Sequence, residues 1–364
     1  MRLRRLTLQH FRNIPWAEFA FEGRQQFFLG ANGQGKTNLL EAVGLVTALR
    51  SFRTADTTLL IAQGRPEAAI AAEFEHEREG ESRVLITLRR GGKEVSCDGE
   101  RVTRLADFLG RFPTVVFSSQ DQQWVRGAPA LRRRWLDLVL AGTAPGYLDA
   151  LTRYHRALEG RNQLLKRQAP VAELEAFELP LAEAAAALAT ARRTGVATLA
   201  PQVEAAYAAL SAGSEPASIA YAADAAPGEG DASAWRAHFA KGRARDLLLR
   251  ATLSGPHRDD LELRVGGRAA RDYGSEGQQR SLVLALRLAQ VNHIRAAIGV
   301  QPVLLADDVL GELDPARRRR FWAALGEDRQ VLATGTEPPD AELGAWEIFR
   351  VATGAFAPFH PSVP

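Results

Sequence analysis

Gly30-Ala31-Asn32-Gly33-Gln34-Gly35-Lys36-Thr37 matches the pattern G-x-x-x-x-G-K-[ST] of a phosphate-binding loop. The run Gln26-Phe27-Phe28-Leu29 before it reads as a short apolar strand, and Asn38-Leu39-Leu40-Glu41-Ala42-Val43 after it as a helix. In that context backbone N–H groups at the positive end of a helix point at phosphate oxygens. Position then assigns the side chains: Lys36 would reach the β and γ phosphates as a charge, and Thr37 would offer its hydroxyl to magnesium. Gly30, Gly33 and Gly35 are expected to permit the backbone, with Ala31, Asn32, Gln34 and Asn38 completing the nucleotide-binding stretch.

Two later segments answer the loop. Val303-Leu304-Leu305-Ala306 reads as a buried strand ending in Asp307-Asp308, where Asp307 can orient magnesium and Asp308 can position an attacking water. Ser275-Glu276-Gly277-Gln278-Gln279 opens a strongly periodic helix, so the Ser275 hydroxyl, Gly277 and Gln278 sit at an N-terminus fit for a γ-phosphate. Gly311-Glu312-Leu313-Asp314 follows at the spacing of a D-loop. This order and separation resemble an ABC-type ATPase. In that class the serine motif completes the site of a second copy, which implies an ATP-dependent homodimer with Lys36, Asp307 and Asp308 as catalytic residues. Asp stands where most ABC enzymes have Glu, and Thr334 and Thr336 stand where transporter ATPases have a switch histidine, so slow hydrolysis is expected.

The 364 residues, 46% apolar, suffice for two compact lobes. The predicted fold is α/β: an ABC-type P-loop head assembled from N- and C-terminal segments (1–120 and 245–364), with an inserted helical lobe (121–244). The lobe's periodic stretches are Leu131 to Leu140, Tyr147 to Arg167 and Leu179 to Ala191. Pro170, Pro180, Pro201 and Gly195 are expected to punctuate it, leaving a short arm and no long coiled coil. Residues 211–233 read as a low-complexity loop. Cys97 is the only cysteine, no stretch is long and apolar enough for a bilayer, and the N-terminus reads as a strand rather than a signal peptide, so a cytoplasmic protein without membrane contact is expected.

Net charge is only +3, but the basic residues are almost all arginine, suited to phosphate contacts. Arg132-Arg133-Arg134, Arg317-Arg318-Arg319-Arg320 and the spaced Arg153, Arg156, Arg161 and Arg167 are candidate DNA-facing groups, or else solvated helix faces. His257-Arg258-Asp259-Asp260 could be metal or general-base equipment; the preferred reading is an ion-pair network of Arg258 and the acids bracing the two head halves. Metal other than magnesium is not expected.

Further stretches make the resemblance specific: Leu8-Gln9-His10-Phe11-Arg12-Asn13, Ser51-Phe52-Arg53-Thr54, Gly127 to Asp137, and Ser254-Gly255-Pro256-His257-Arg258-Asp259-Asp260. With these, nearly all of the chain resembles the RecF family of bacterial recombinational-repair ATPases, related to SMC-type proteins. The resemblance implies that Arg12 and Asn13 flank the adenine, that Arg53 lies near the phosphates, and that Gln120 or a neighbour in Ser119-Gln120-Asp121 serves as the Q-loop residue. It further implies an ATP- and Mg2+-dependent, weak DNA-stimulated ATPase that clamps double-stranded or gapped DNA. Such a protein promotes RecA loading with RecO and RecR and supports the SOS response. The rival readings are an ATPase subunit of a membrane transporter and an ATP-binding scaffold independent of DNA.

Overall fold

The computed structural model describes all residues except Ser214, Glu229 and 360–364, together with all but the side chain of Glu312. The chain begins β1 (Arg2–Phe11), β2 (Ile14–Ala20), β3 (Gln25–Leu29), α1 (Lys36–Ala48), β4 (Glu67–His76), β5 (Gly80–Arg89), β6 (Gly92–Cys97), β7 (Glu100–Arg101) and β8 (Thr114–Ser118). It continues through α2 (Gln123–Arg126), α3 (Pro129–Thr143), α4 (Tyr147–Lys166), α5 (Val171–Ser211), β9 (Ala217–Ala222), α6 (Ala232–Leu249), β10 (Asp260–Val265), β11 (Arg268–Ala269), α7 (Ala270–Tyr273) and α8 (Glu276–Ile298). It closes with β12 (Val303–Asp307), α9 (Val309–Glu312), α10 (Pro315–Ala324), β13 (Val331–Gly335), β14 (Glu347–Ala352) and β15 (Ala355–Pro358).

Two compact units result. The first holds residues 1–121, 209–213 and 284–364 and contains two six-stranded sheets. One is antiparallel, in the order β2-β1-β4-β5-β6-β7. The other, β15-β14-β3-β13-β12-β8, is parallel apart from the β14–β15 hairpin. Helix α1 is buried nearly all round because Leu39, Leu40, Val43 and Val46 share one core with Leu6, Leu8 and Ile70 of the first sheet and Phe28, Val303, Leu305 and Leu332 of the second. That placement explains why strand β3 and the P-loop helix are so apolar: both are interior parts of a layered domain.

The second unit holds residues 122–208 and 214–283, with α2–α4, α6, α7 and the small antiparallel sheet β11-β10-β9. Three expectations are corrected here. Helix α5 runs unbroken through Pro180 and Pro201. Each internal proline costs about 3 kcal/mol, but burying Leu174, Leu181, Leu188 and Leu199 returns about 1.5–3 kcal/mol apiece. Gly195 does not interrupt the helix either; a Cβ there would stand 2.6 Å from Leu140, so the glycine lets α3 approach α5. Within the expected loop 211–233, Ala217–Ala222 forms β9, paired in register with β10; Ser214 and Glu229 of that stretch lie outside the described residues. The expected return to the head at 245 falls instead at 284, because β10, β11 and α7 pack with the helical unit.

Candidate nucleotide site

The loop between β3 and α1 takes its shape from two glycines in the left-handed region, Gly33 (φ 79°) and Gly35 (φ 115°). Gly30 is required for another reason: a Cβ there would lie 2.4 Å from the Val351 carbonyl oxygen of β14. Gly35 is the N-cap of α1, with no side-chain cap bond and no acidic residue in the first turn, so the backbone N–H groups of that helix end are not capped by the helix's own side chains. Lys36, 4% exposed, curls into the loop and donates to the Gly30 and Ala31 carbonyls at 2.5 and 3.0 Å.

Beneath the loop lies the end of β12. Thr37 Oγ1 donates to Asp307 Oδ1 at 2.8 Å, and Thr334 Oγ1 donates to the same oxygen at 3.0 Å. Parallel pairing of β12 with β13 brings Thr334 there, and its hydroxyl also accepts from the Asp308 N–H. Burial raises the Asp307 carboxyl above its ordinary range; the two threonine hydroxyls and the Arg53 charge oppose the rise and the neighbouring Asp308 adds to it. Two oxygen donors, one a half-buried carboxylate bonded only to hydroxyls, suit a hard divalent cation such as Mg2+. Asp308 has φ 59° and caps α9, a left-handed conformation that Asp adopts more readily than most residues.

On the other flank of α1 is a residue that sequence reading missed. Glu41, fully buried, accepts from Arg12 Nε and Nη2 at 2.9 and 2.8 Å, from Arg53 Nη1 at 3.1 Å, and from Ser51 Oγ. Arg53 Nη1 also donates to Asn38 Oδ1 at 2.7 Å, and Asn38 Nδ2 to Asn13 Oδ1 at 2.8 Å. The residues expected at the adenine and phosphate ends, Arg12, Asn13, Asn38 and Arg53, are therefore gathered around one carboxylate. Its signal was an acid at helical spacing from Thr37 and Asn38, i+4 and i+3, inside an otherwise apolar helix.

Gln120 lies just past the end of β8, whose Ser118 pairs with Asp307, and it is exposed. Asp121 beside it is buried and gripped by Arg287 at 2.8 and 2.9 Å, an anchor within the first unit. Ser275, Gly277 and Gln278 belong to the second unit. There Ser275 and Gln278 form a reciprocal capping box: the Gln278 N–H donates to Ser275 Oγ at 3.2 Å, and the Ser275 N–H donates to Gln278 Oε1 at 2.6 Å. Gln278 Nε2 holds Glu215 at 2.8 Å.

His257–Asp260 and most of the arginine candidates turn out to be bonded within the fold. Asp260 accepts both Nε and Nη2 of Arg132; Asp259 binds Arg192, Tyr221 and the Asp224 N–H; His257 meets Tyr154 and the Thr252 carbonyl. The expected ion-pair network exists, but its cations are Arg132 and Arg192, and it braces the second unit internally rather than two head halves. Arg161 leaves the candidate DNA-facing series, being fully buried between Glu178, Asp246 and Thr252. Arg167 pairs with Glu173, Arg318 with Asp340 and Arg319 with Glu342, while Arg153 and Arg156 are exposed. Among the described residues no group of three or more acidic, His or Cys side chains is arranged to hold a metal, and no helix is long and apolar enough to cross a membrane.

Comparison with known proteins agrees over the whole length. Residues 2–345 match the family model described as RecF/RecN/SMC N terminal domain. The chain is 38% identical over 380 residues to the DNA replication and repair protein RecF of Synechococcus sp. (strain JA-3-3Ab), covering 100% of both chains. A solved structure of the recombination mediator protein RecF-ATP in the RecFOR pathway superposes with a TM-score of 0.91 at 27% identity, covering 98% of this chain and 97% of that one. An Smc head bound to the C-winged helix domain of ScpA shares the fold alone, at TM-score 0.57 and 16% identity over 100% of this chain and 98% of that one. The family model over residues 2–345 and the full-length identity to a RecF protein, on a chain with a P-loop, a strand-end aspartate and an inserted helical unit, mean that the chain belongs to the RecF/RecN/SMC N terminal domain family, among its RecF members.

Proposed function

We propose that the chain is an ATP-dependent, DNA-binding clamp of recombinational repair, acting in the cytoplasm on double-stranded and gapped DNA with RecO and RecR as partners. The observation that supports it most is the convergence of Lys36, Thr37, Asp307 and Thr334 under one glycine-rich loop, in a chain similar to RecF-ATP. Lys36 would exchange the Gly30 and Ala31 carbonyls for β- and γ-phosphate oxygens. Thr37 and Asp307 would hold Mg2+, which would neutralise charge developing during phosphoryl transfer. Asp308 would position the attacking water and accept its proton. Arg12 and Asn13 would flank the base, Arg53 would face the phosphates, and Gln120 would report on the γ-phosphate from the end of β8.

Ser275, Gly277 and Gln278 would act on the nucleotide of a second copy, so ATP would join two heads and hydrolysis would separate them. With the shorter Asp308 as base, hydrolysis would be slow and the closed state long-lived. In that state the protein would promote RecA loading and support the SOS response. Sedimentation velocity tests the reading, with Mg2+ and ATP against ADP, with and without a gapped duplex. A dimer formed only with ATP, and more readily on DNA, is expected; a monomer in every condition would sink the clamp.

A further inference from the structure

The last hairpin of the chain touches the phosphate loop at its centre. The Thr353 N–H donates to Gln34 Oε1 at 2.7 Å, and the Gly354 N–H to the Gln34 carbonyl at 2.8 Å. Asn13, from the turn between β1 and β2, donates to that same carbonyl at 3.3 Å. Two glycines exist for this approach: a Cβ on Gly354 would lie 2.0 Å from the Asn13 carbonyl oxygen, and one on Gly30 would lie 2.4 Å from that of Val351. Thr353 itself sits at φ 49°, a strained conformation for a β-branched side chain that persists only where surroundings over-determine it. With Gly354 at φ 78°, it makes a tight two-residue turn with both central residues left-handed, and this aims both N–H groups at Gln34.

We infer that the β14–β15 turn is a latch that holds the phosphate loop in its binding conformation, with Gln34 as a positioning residue that acts through the turn. Gln34 stands between Gly33 and Gly35, the two left-handed residues that shape the loop, so fixing both its carbonyl and its side chain restricts the most permissive part of the backbone. A loop ordered before the ligand arrives spends less binding energy on ordering. The inference rests on the proposal that this loop binds ATP.

The test uses the full-length protein with a fluorescent ATP analogue, ATP hydrolysis and amide hydrogen exchange. Gly354→Val wedges the turn away from Asn13. It is expected to raise Kd and KM about tenfold while leaving kcat within about twofold, because the latch serves ground and transition states alike. Gln34→Ala removes only the Thr353 acceptor and guards against a misfolded valine variant. Faster exchange of the Thr353 amide and an about threefold weaker Kd are expected. Unchanged affinity in a folded Gly354→Val, or a fall in kcat at constant KM, would overturn the latch. Failure of the unaltered protein to bind the analogue would refute the ATP reading instead; the latch would then stand or fall on whether exchange of the Thr353 and Gly354 amides quickens in Gln34→Ala.

Discussion

Asp307 in the head is a half-buried carboxylate and Asp259 in the helical unit a buried one, and burial pushes both above the ordinary range. What opposes the rise differs. At Asp259 the partners are Tyr221, the Asp224 N–H and the Arg192 guanidinium. Arg192 in turn is held charged against its own burial by Asp137 and Tyr147. At Asp307 the bonded partners are two neutral hydroxyls, the Arg53 charge helps without a bond, and Asp308 lies alongside with charge of the same sign. A buried acid with a bonded cation is a strut, whereas an acid bonded to hydroxyls alone still has room for a cation to arrive.

The largest effects should separate these roles. Lys36→Met is expected to abolish ATP-driven dimerisation while the unfolding midpoint in urea stays nearly constant; unchanged dimerisation would remove the loop from the mechanism. Arg192→Ala should do the reverse to the fold, costing about 3–5 kcal/mol by leaving Asp137 and Asp259 without their cation. Urea unfolding measures it, and a loss under about 1 kcal/mol would erase the contrast drawn above.

Ser275→Arg should bind nucleotide in the monomer and fail to dimerise in ATP, read by equilibrium binding beside sedimentation. Loss of binding in the monomer would mean that the serine acts in cis. Glu41 is an intermediate case, a buried acid shared by two arginines that are themselves partly exposed. Glu41→Gln should cost about 1–3 kcal/mol of stability, less than an enclosed pair because water screens both guanidiniums, and should weaken ATP binding by releasing Arg12 and Arg53. Equal ATP affinity in that variant would make Glu41 purely structural. The smallest effect is in pH. Since the Asp307 carboxyl titrates above its usual range, protons compete with Mg2+ there, so Mg2+ affinity should rise as pH increases through that raised pKa and level off above it. Asp307→Asn should flatten this dependence, as calorimetric Mg2+ titrations with nucleotide across pH would read.

The sequence revealed the parts whose chemistry repeats locally. Lys36, Thr37, Asp307 and the capped start of α8 are each set by a few adjacent residues. It concealed what depends on partners far along the chain. Glu41 drew no separate reading, because nothing near it announces that Arg12 and Arg53 converge on it. Arg161, at regular spacing from Arg153 and Arg156, looked like part of a solvated stripe, but Glu178 and Asp246 draw it inward. Pro180 and Pro201 signalled breaks that tertiary burial overrides, and Gly30 was read as a backbone requirement when its neighbour Val351 is the reason.

Strand β3 carries the phosphate loop, yet both of its sheet neighbours, β13 and β14, come from beyond residue 330. The Thr353 N–H is 319 residues away from its acceptor on Gln34. At about 5–20 residues per second, a ribosome needs roughly 15 s to a minute to make that stretch. Throughout this interval Phe27 and Phe28 would lack both sheet partners, and any strand formed there would have two unpaired edges open to wrong pairing. A nascent or truncated chain would therefore display the most recognisable motif of the molecule long before it could grip a nucleotide. Competence for ATP would mark a chain made at least through the β14–β15 turn.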